Sequence, residues 1–427
     1  MKKIFFFIAV LLLAACAAVW VFGAPEGIEP IEPMEGRDYA CASLTYDEGL
    51  RLLSGTQTII AANRSDEMLE EIVLRLPMNA LDGASCSISG VHVNGMRRDF
   101  LQDQDDETIL TIQCGWQPEE CIEISFSLMV KHPAQEGTSV VTLPYLAMRE
   151  NGAWRTDAYD GLAGMGYAHA FDACVIVDGV CAASLRGARD MSFALPGGAV
   201  RGAEVSGVHI RALAGNAGTA GALIRSAKAA IQSLNEAGIA YPYDVLTVAD
   251  GQTRRADGEA CSGLIVLSAD ADGETLLRRM TRLIAQQTFG VFVESDPWNS
   301  PWLSESLASA AEMLAYEKRK GTAAYEARLY EEMEIASRVT RPHGVNIGAG
   351  TAHFGGDAEM TQVLRDAGGA MLLGLREAMG GEAFVTALSL YAEDCGGGVA
   401  VQADFERALK TASGADWSGY LADGLSY

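Results

Sequence analysis

Arg282-Leu283-Ile284-Ala285-Gln286-Gln287-Thr288-Phe289-Gly290 and, after a loop, Pro301-Trp302-Leu303-Ser304-Glu305-Ser306-Leu307-Ala308 decide how this chain is read. Two histidines four apart on a helix can hold a metal ion, with a glutamate after the first as general base and a further ligand downstream. Here Arg282, Leu283 and Gln286 occupy the slots of first ligand, base and second ligand. Glu305, with eighteen residues between it and Gln286, stands where a third ligand would be. The outline is kept and its chemistry is not. The same residues also read as an ordinary amphipathic helix, with Leu276, Leu277, Met280, Leu283 and Ile284 as core stripe and Arg282 and Gln286 as solvated face. Glu305 equally suits the first turn of a helix, where the dipole favours an acid.

The 427 residues suffice for two or three domains, and 49% apolar with 21% charged residues is a globular profile. A net charge of −24 argues against nucleic acid or anionic lipid as partner, since either needs a basic face.

The N-terminus reads as a targeting device. Lys2-Lys3 precedes 21 uncharged residues, 4–24, which at about 1.5 Å per residue would cross a bilayer core of roughly 30 Å. The basic flank places the N-terminus in the cytoplasm and the body outside it. Leu13-Ala14-Ala15-Cys16 resembles a lipoprotein processing box, although Ala17-Ala18-Val19-Trp20 keeps the run apolar past the cysteine. An uncleaved anchor, a lipoprotein and a cleaved signal stay open, and all three export the body. Eight further cysteines permit disulfides, with Cys114/Cys121 or Cys174/Cys181 as short loops, or are small buried thiols.

Three segments follow: 1–27 for export, 28–202 for an antiparallel β-sandwich, and 203–427 for a mostly helical domain with a small sheet, an α+β, two-domain class. Strand patterns run at 56–63, 71–76, 108–112 and 122–128, separated by turn clusters such as Val93-Asn94-Gly95. After 202 the period changes. A helix is expected over 219–237 with Thr219 as N-cap, strands at 245–248 and 264–267, and helices at 274–289, 304–320, 323–337 and from 358 onward. Trp302 reads as a core anchor.

On these residues the body resembles the aminopeptidase N family, the gluzincin zinc aminopeptidases. Gly238-Ile239-Ala240-Tyr241-Pro242-Tyr243-Asp244-Val245-Leu246 matches that family's "fG.yPy..l" lead-in, and 258–264 falls where its GxMEN strand would sit. Pro301 through Ala308 matches "WLnEGfA", Gly368-Gly369-Ala370 the "YxKGA" segment, and 417–425 the last helix of the catalytic domain. The resemblance implies a β-sandwich followed by a thermolysin-like domain, with the family's later domains absent because the sequence stops there.

The departures all fall on chemistry. Arg282 has no lone pair to offer and would repel a dication. Gln286 offers only a neutral carbonyl, poorly suited to zinc. Leu283 removes the base that would activate a bound water. The acid that in the family grips the substrate amine falls on Ala260, or on Glu259 with a slip of register, and the transition-state tyrosine falls on Asp366 or Arg365. No metal cofactor is therefore expected, although the family uses zinc. Metal sites assembled from His343, His353 and Asp357 in the polar loop have neither supporting spacing nor setting.

Three function classes result. The first is a membrane-tethered, extracytoplasmic pseudopeptidase that binds a peptide or protein. The second is a residual or atypical zinc-dependent aminopeptidase. The third is an assembly component with its cleft filled by side chains. An open cavity at Glu305 favours the first and a filled one the third. Pairing of the Arg282 guanidinium with Glu305, in place of the metal charge, is expected if the fold holds.

Overall fold

The computed structural model describes residues 27–132, 140–159, 166–195, 197–253, 255, 257–271, 273–338 and 344–426. The expected export segment up to residue 26, with Lys2, Lys3 and Cys16, lies outside these, as does His343. Among the described residues no helix is long and apolar enough to cross a membrane.

The first half is a sandwich because its strands alternate. In Cys121–Lys131 the residues Ile122, Ile124, Phe126, Leu128 and Val130 are buried and the intervening ones face out. A seven-stranded sheet and a four-stranded sheet pack these inward faces into one core. The larger sheet runs Val180–Ala188, Phe171–Val177, Tyr39–Asp47, Leu52–Ala62, Cys121–Lys131, Ser85–Val93 and Met96–Arg97. Its pairings are antiparallel except one, between Tyr39–Asp47 and Phe171–Val177. Cys114 lies on the smaller sheet and Cys121 on the larger, so that pair does not close a hairpin.

A five-stranded sheet opens the second half, in the order Ala199–Val205, Val208–Ala214, Val245–Asp250, Leu264–Leu267, Glu259–Cys261. Its three inner strands are parallel and both edges antiparallel. The first strand straddles the boundary at 202/203. Against this sheet pack α1 (Ala217–Glu236) and α2 (Gly273–Gln286); α3 (Trp302–Lys320) packs on these two helices, followed by α4 (Thr322–Ser337) and further helices to Ser426. The cap of α1 is Asn216, not Thr219: the Asn216 side chain accepts from the Thr219 N–H at 2.9 Å. Helix α2 stops as an α-helix at Gln286, and Gln287–Phe292 continues as a π-turn. There Gln287 is fully buried, donating to the Leu264 carbonyl at 3.0 Å and accepting from the Tyr241 hydroxyl at 2.5 Å. That bond gives the Tyr241-Pro242-Tyr243 lead-in its purpose, tying the start of the sheet to the end of α2.

The halves are joined through Arg189 and Asp190. The Arg189 guanidinium, wholly buried, donates to the Phe292 and Gly398 carbonyls at 3.1 and 2.8 Å and to Glu294 Oε2 at 3.0 Å. Arg155 holds the other oxygen of Glu294 at 2.9 Å. Asp190 accepts from the Ser262 N–H and hydroxyl at 2.8 and 2.9 Å. Burial pushes the Glu294 carboxyl up from its ordinary value, and Arg155 and Arg189 pull it back part of the way. Removing one partner of a buried ion pair strands the other charge, at a cost of about 3–5 kcal/mol. The variant Arg189→Ala should lose about that much stability in urea denaturation; a loss below about 1 kcal/mol would show that the contact does not hold the halves together.

Candidate functional site

Helix α2 is amphipathic. Leu276, Met280, Leu283 and Ile284 enter the core, while Arg279, Arg282 and Gln286 share the opposite face. That face is not solvated: the Arg282 side chain is 11% exposed and lines a cleft. Helix α3 crosses α2 close by. Gly290 permits the approach, since a Cβ there would sit 3.0 Å from the Ser304 Cβ. On the far side, the Ser306 hydroxyl donates to the Leu364 carbonyl at 2.7 Å, and added Cβ atoms on Gly368 and Gly369 would run into Ser306 and Ser309. The Gly368-Gly369 pair is thus required by helix crossing. Trp302 packs edge-on against Phe405 with ring centroids 6.2 Å apart, a core anchor as expected.

These crossings bring Arg282, Gln286 and Glu305 together, as the family resemblance implied. Glu305 is 5% exposed. Its Oε1 accepts from the Gln286 amide at 3.0 Å and from Arg255 Nη1 at 2.5 Å. Arg282 approaches Oε2 only to 3.9 Å, beyond hydrogen-bond reach, and its other nitrogen lies 3.3 Å from Asp257. The expected direct Arg282–Glu305 hydrogen bond is therefore replaced by one from Arg255, with Arg282 as a second, more distant cation. Arg255 is in turn positioned by Asp357, which accepts from its Nε at 3.0 Å. Arg365 pairs with both Asp257 and Asp366.

The charge balance sets the titration. Burial alone would raise the Glu305 carboxyl, but Arg255 and then Arg282 outweigh it and hold it below the usual carboxylate range. The carboxylate in turn raises the Arg255 guanidinium. Burial lowers that of Arg282, opposed by Glu305 and Asp257.

Leu283 is fully buried in the core, against the backbone of Gly258, so the slot of the general base is a packing position. Asp366 lies on a π-turn, Thr361–Ala367, and lines the cleft. Glu259 and Ala260 sit on the edge strand opposite Val266 and Ile265, and neither lines the cavity at Glu305. The acid that this segment contributes is Asp257. His353 bonds locally to the Gly350 carbonyl at 3.2 Å, and Asp357 is engaged by Arg255. Sequence reasoning missed Arg255 and Asp257, and named Arg365 and Asp357 in other roles, as the alternative to Asp366 and as part of a loop metal site. The signal available was the charge-dense run Arg254-Arg255-Ala256-Asp257 just ahead of the edge strand.

Around Glu305 a cavity of about 330 Å³ is lined by Arg255, Asp257, Arg282, Asp357 and Arg365 among others. It shares Asp257, Arg282, Arg365 and Asp366 with a larger cleft of about 690 Å³ that runs between α2, α3 and α4. A zinc ion does not fit this donor set. Arg282 brings a cation, Gln286 directs its NH₂ at Glu305, and the glutamate's nearer oxygen is already taken. Among the described residues no three His, Cys, Asp or Glu side chains come together as a metal site.

The fold matches that of the M1 zinc metallopeptidases. It is similar to the M1 zinc metallopeptidase from Deinococcus radiodurans, with a TM-score of 0.65 and 19% identity over 91% of this chain and 93% of that one. A mutant of that enzyme bound to a Tyr-Ser-Ala substrate gives 0.65 and 20% over 91% and 94%. Native yeast LTA4 hydrolase gives 0.63 and 11%, over 90% of this chain and 67% of the yeast one. No protein-family model matches the sequence, and no curated protein matches it significantly.

A depressed carboxyl stabilises the fold above its unfolded pKa, roughly 4.3, and that contribution is lost as pH falls through the folded value. Glu305→Gln should therefore cost about 2–4 kcal/mol near pH 7 and clearly less near pH 3, read by urea denaturation at both. An equal loss at the two pH values would remove the ion cluster from the explanation. Arg255→Ala should destabilise more than Arg282→Ala, by about 1 kcal/mol, since of the two arginines Arg255 alone hydrogen-bonds the carboxylate; the reverse order would put Arg282 back as its main partner.

Proposed function

We propose that this protein is a non-catalytic relative of the M1 metallopeptidases, held at a membrane on its extracytoplasmic side by residues 1–27, whose former active-site cleft binds a peptide or protein segment without cleaving it. One observation carries the reading: Glu305 is engaged by Arg255 and Gln286 while the space beside it stays open. Peptide hydrolysis needs an electrophile for the carbonyl and a base for the water. At this centre the base slot is the buried Leu283, and the cationic groups are guanidiniums already paired with acids. An arginine can still bind a carboxylate or a backbone carbonyl, and Asp357 and Asp257 offer acceptors for an amine. A cleft with both signs of charge suits a zwitterionic chain end. The structurally similar Deinococcus enzyme, as a mutant, holds a Tyr-Ser-Ala substrate, which makes a short peptide the natural first ligand to try. The open cavity speaks against an assembly role built on a filled cleft.

The test uses full-length protein in detergent, with metal analysis, a chelator-controlled assay on aminoacyl substrates and calorimetric titration with a short-peptide pool. Expected are zinc well below one equivalent, no chelator-sensitive turnover, and peptide binding weakened about tenfold, or about 1.4 kcal/mol, by Arg282→Ala. One equivalent of zinc with chelator-sensitive turnover would restore the residual-aminopeptidase reading. No binding in the cleft would overturn the binding role.

A further inference from the structure

Cys41 and Cys174 face each other across the single parallel contact of the seven-stranded sheet, as register partners on Tyr39–Asp47 and Phe171–Val177. Neighbouring strands lie about 4.8 Å apart, inside the window of roughly 4.4–6.8 Å between Cα atoms that a disulfide spans. Both cysteines belong to a small apolar cluster separate from the sandwich core, together with Ile28, Tyr39 and Cys181, and their thiols are in hydrogen-bonding contact. Cys181 stands opposite Ile176, whereas Cys174 stands opposite Ser184, so the hairpin register sets these two apart.

We propose that Cys41 and Cys174 are joined by a disulfide in the mature protein, a covalent staple between the first strand of the sandwich and the strand beside it. Its place gives it a use. The extended stretch before the first strand runs over this cluster: Ile28 is buried on it, the Ile31 N–H donates to the Ser184 hydroxyl at 3.0 Å, and Tyr39 donates to the Ile31 carbonyl at 3.2 Å. Tyr39–Asp47 is thus the first strand to take any pull arriving from the N-terminus. That use rests on the tether proposed above, and the oxidising setting of the bridge on the export proposed with it.

The chemistry is thiol–disulfide exchange. A disulfide oxidant, such as a thiol oxidase of the exported compartment or oxidised glutathione, forms a mixed disulfide with one thiolate. The second cysteine then displaces it, so that two protons and two electrons leave the pair and the oxidant departs as two thiols. In the folded sheet the Cys174 thiol and burial raise Cys41 well above the usual thiol range, which suppresses its thiolate. Exchange therefore belongs to the stage before these strands close.

The test is to refold the full-length protein in a glutathione redox buffer, alkylate it, digest it without reduction and map the peptides by mass spectrometry. The expected result is one linked pair holding Cys41 and Cys174. The bridge closes a loop of well over a hundred residues, so the melting temperature should fall by about 10 °C on reduction. That shift should vanish in Cys41→Ser and persist in Cys181→Ser. Full alkylation of both cysteines after refolding, or Cys174 found joined to Cys181, would overturn the proposal. The map of the unaltered chain decides this even if Cys41→Ser does not fold.

Discussion

A carboxylate buried where two helices cross must have a positive charge beside it or give up its own. Glu305 is such a group, and much of the site follows from how its charge is met. In a zinc peptidase the metal supplies that charge and keeps a coordination position open for water. Here Arg255 supplies it through a hydrogen bond, Gln286 adds a neutral one to the same oxygen, and Arg282 stands further off between Glu305 and Asp257. A guanidinium satisfies the electrostatics and leaves no vacant orbital. On the proposed reading, that difference separates holding a peptide from polarising its carbonyl.

The scaffold around this centre is independent of metal binding. The α2–α3 crossing depends on the missing side chain of Gly290 and on the Ser306 hydroxyl capping a carbonyl of the Thr361–Ala367 turn. The end of α2 is tied to the sheet by Tyr241 and Gln287, and the sandwich is fastened by Arg189, Glu294 and Asp190. None of these contacts involves a ligand slot. Arg282, Leu283 and Gln286, the residues expected at the ligand and base slots, take no part in these contacts. At the base slot, Leu283 adds to the core against Gly258.

The elements with strong periodicity were legible in the sequence: the alternation of Cys121–Lys131, the apolar strands Val245–Asp250 and Leu264–Leu267, and the stripe of α2. Helix geometry alone puts Arg282 and Gln286 on one face, and the convergence with Glu305 was legible only through the family resemblance. The partner of Glu305 was not. Arg255 arrives on a loop with no period, and its pairing depends on Asp357, over a hundred residues away in the chain. The same reason hid Asp257, which the expected register passed over in favour of Glu259 and Ala260. The cap of α1 was misplaced by three residues since Asn216 and Thr219 both have suitable oxygens, and only the backbone shows which one accepts. The parallel pairing that sets Cys41 against Cys174 is a long-range choice that the local pattern leaves open.

The measurement closest to the centre of this picture is a crystal of the protein grown with excess zinc and examined for anomalous scattering at the zinc edge. The expected map has no peak within coordination distance of Glu305, about 2.0–2.2 Å for a zinc–carboxylate bond, and the Arg255 guanidinium on Oε1 in its place. A full-occupancy peak on Glu305, with Arg255 displaced, would contradict the account.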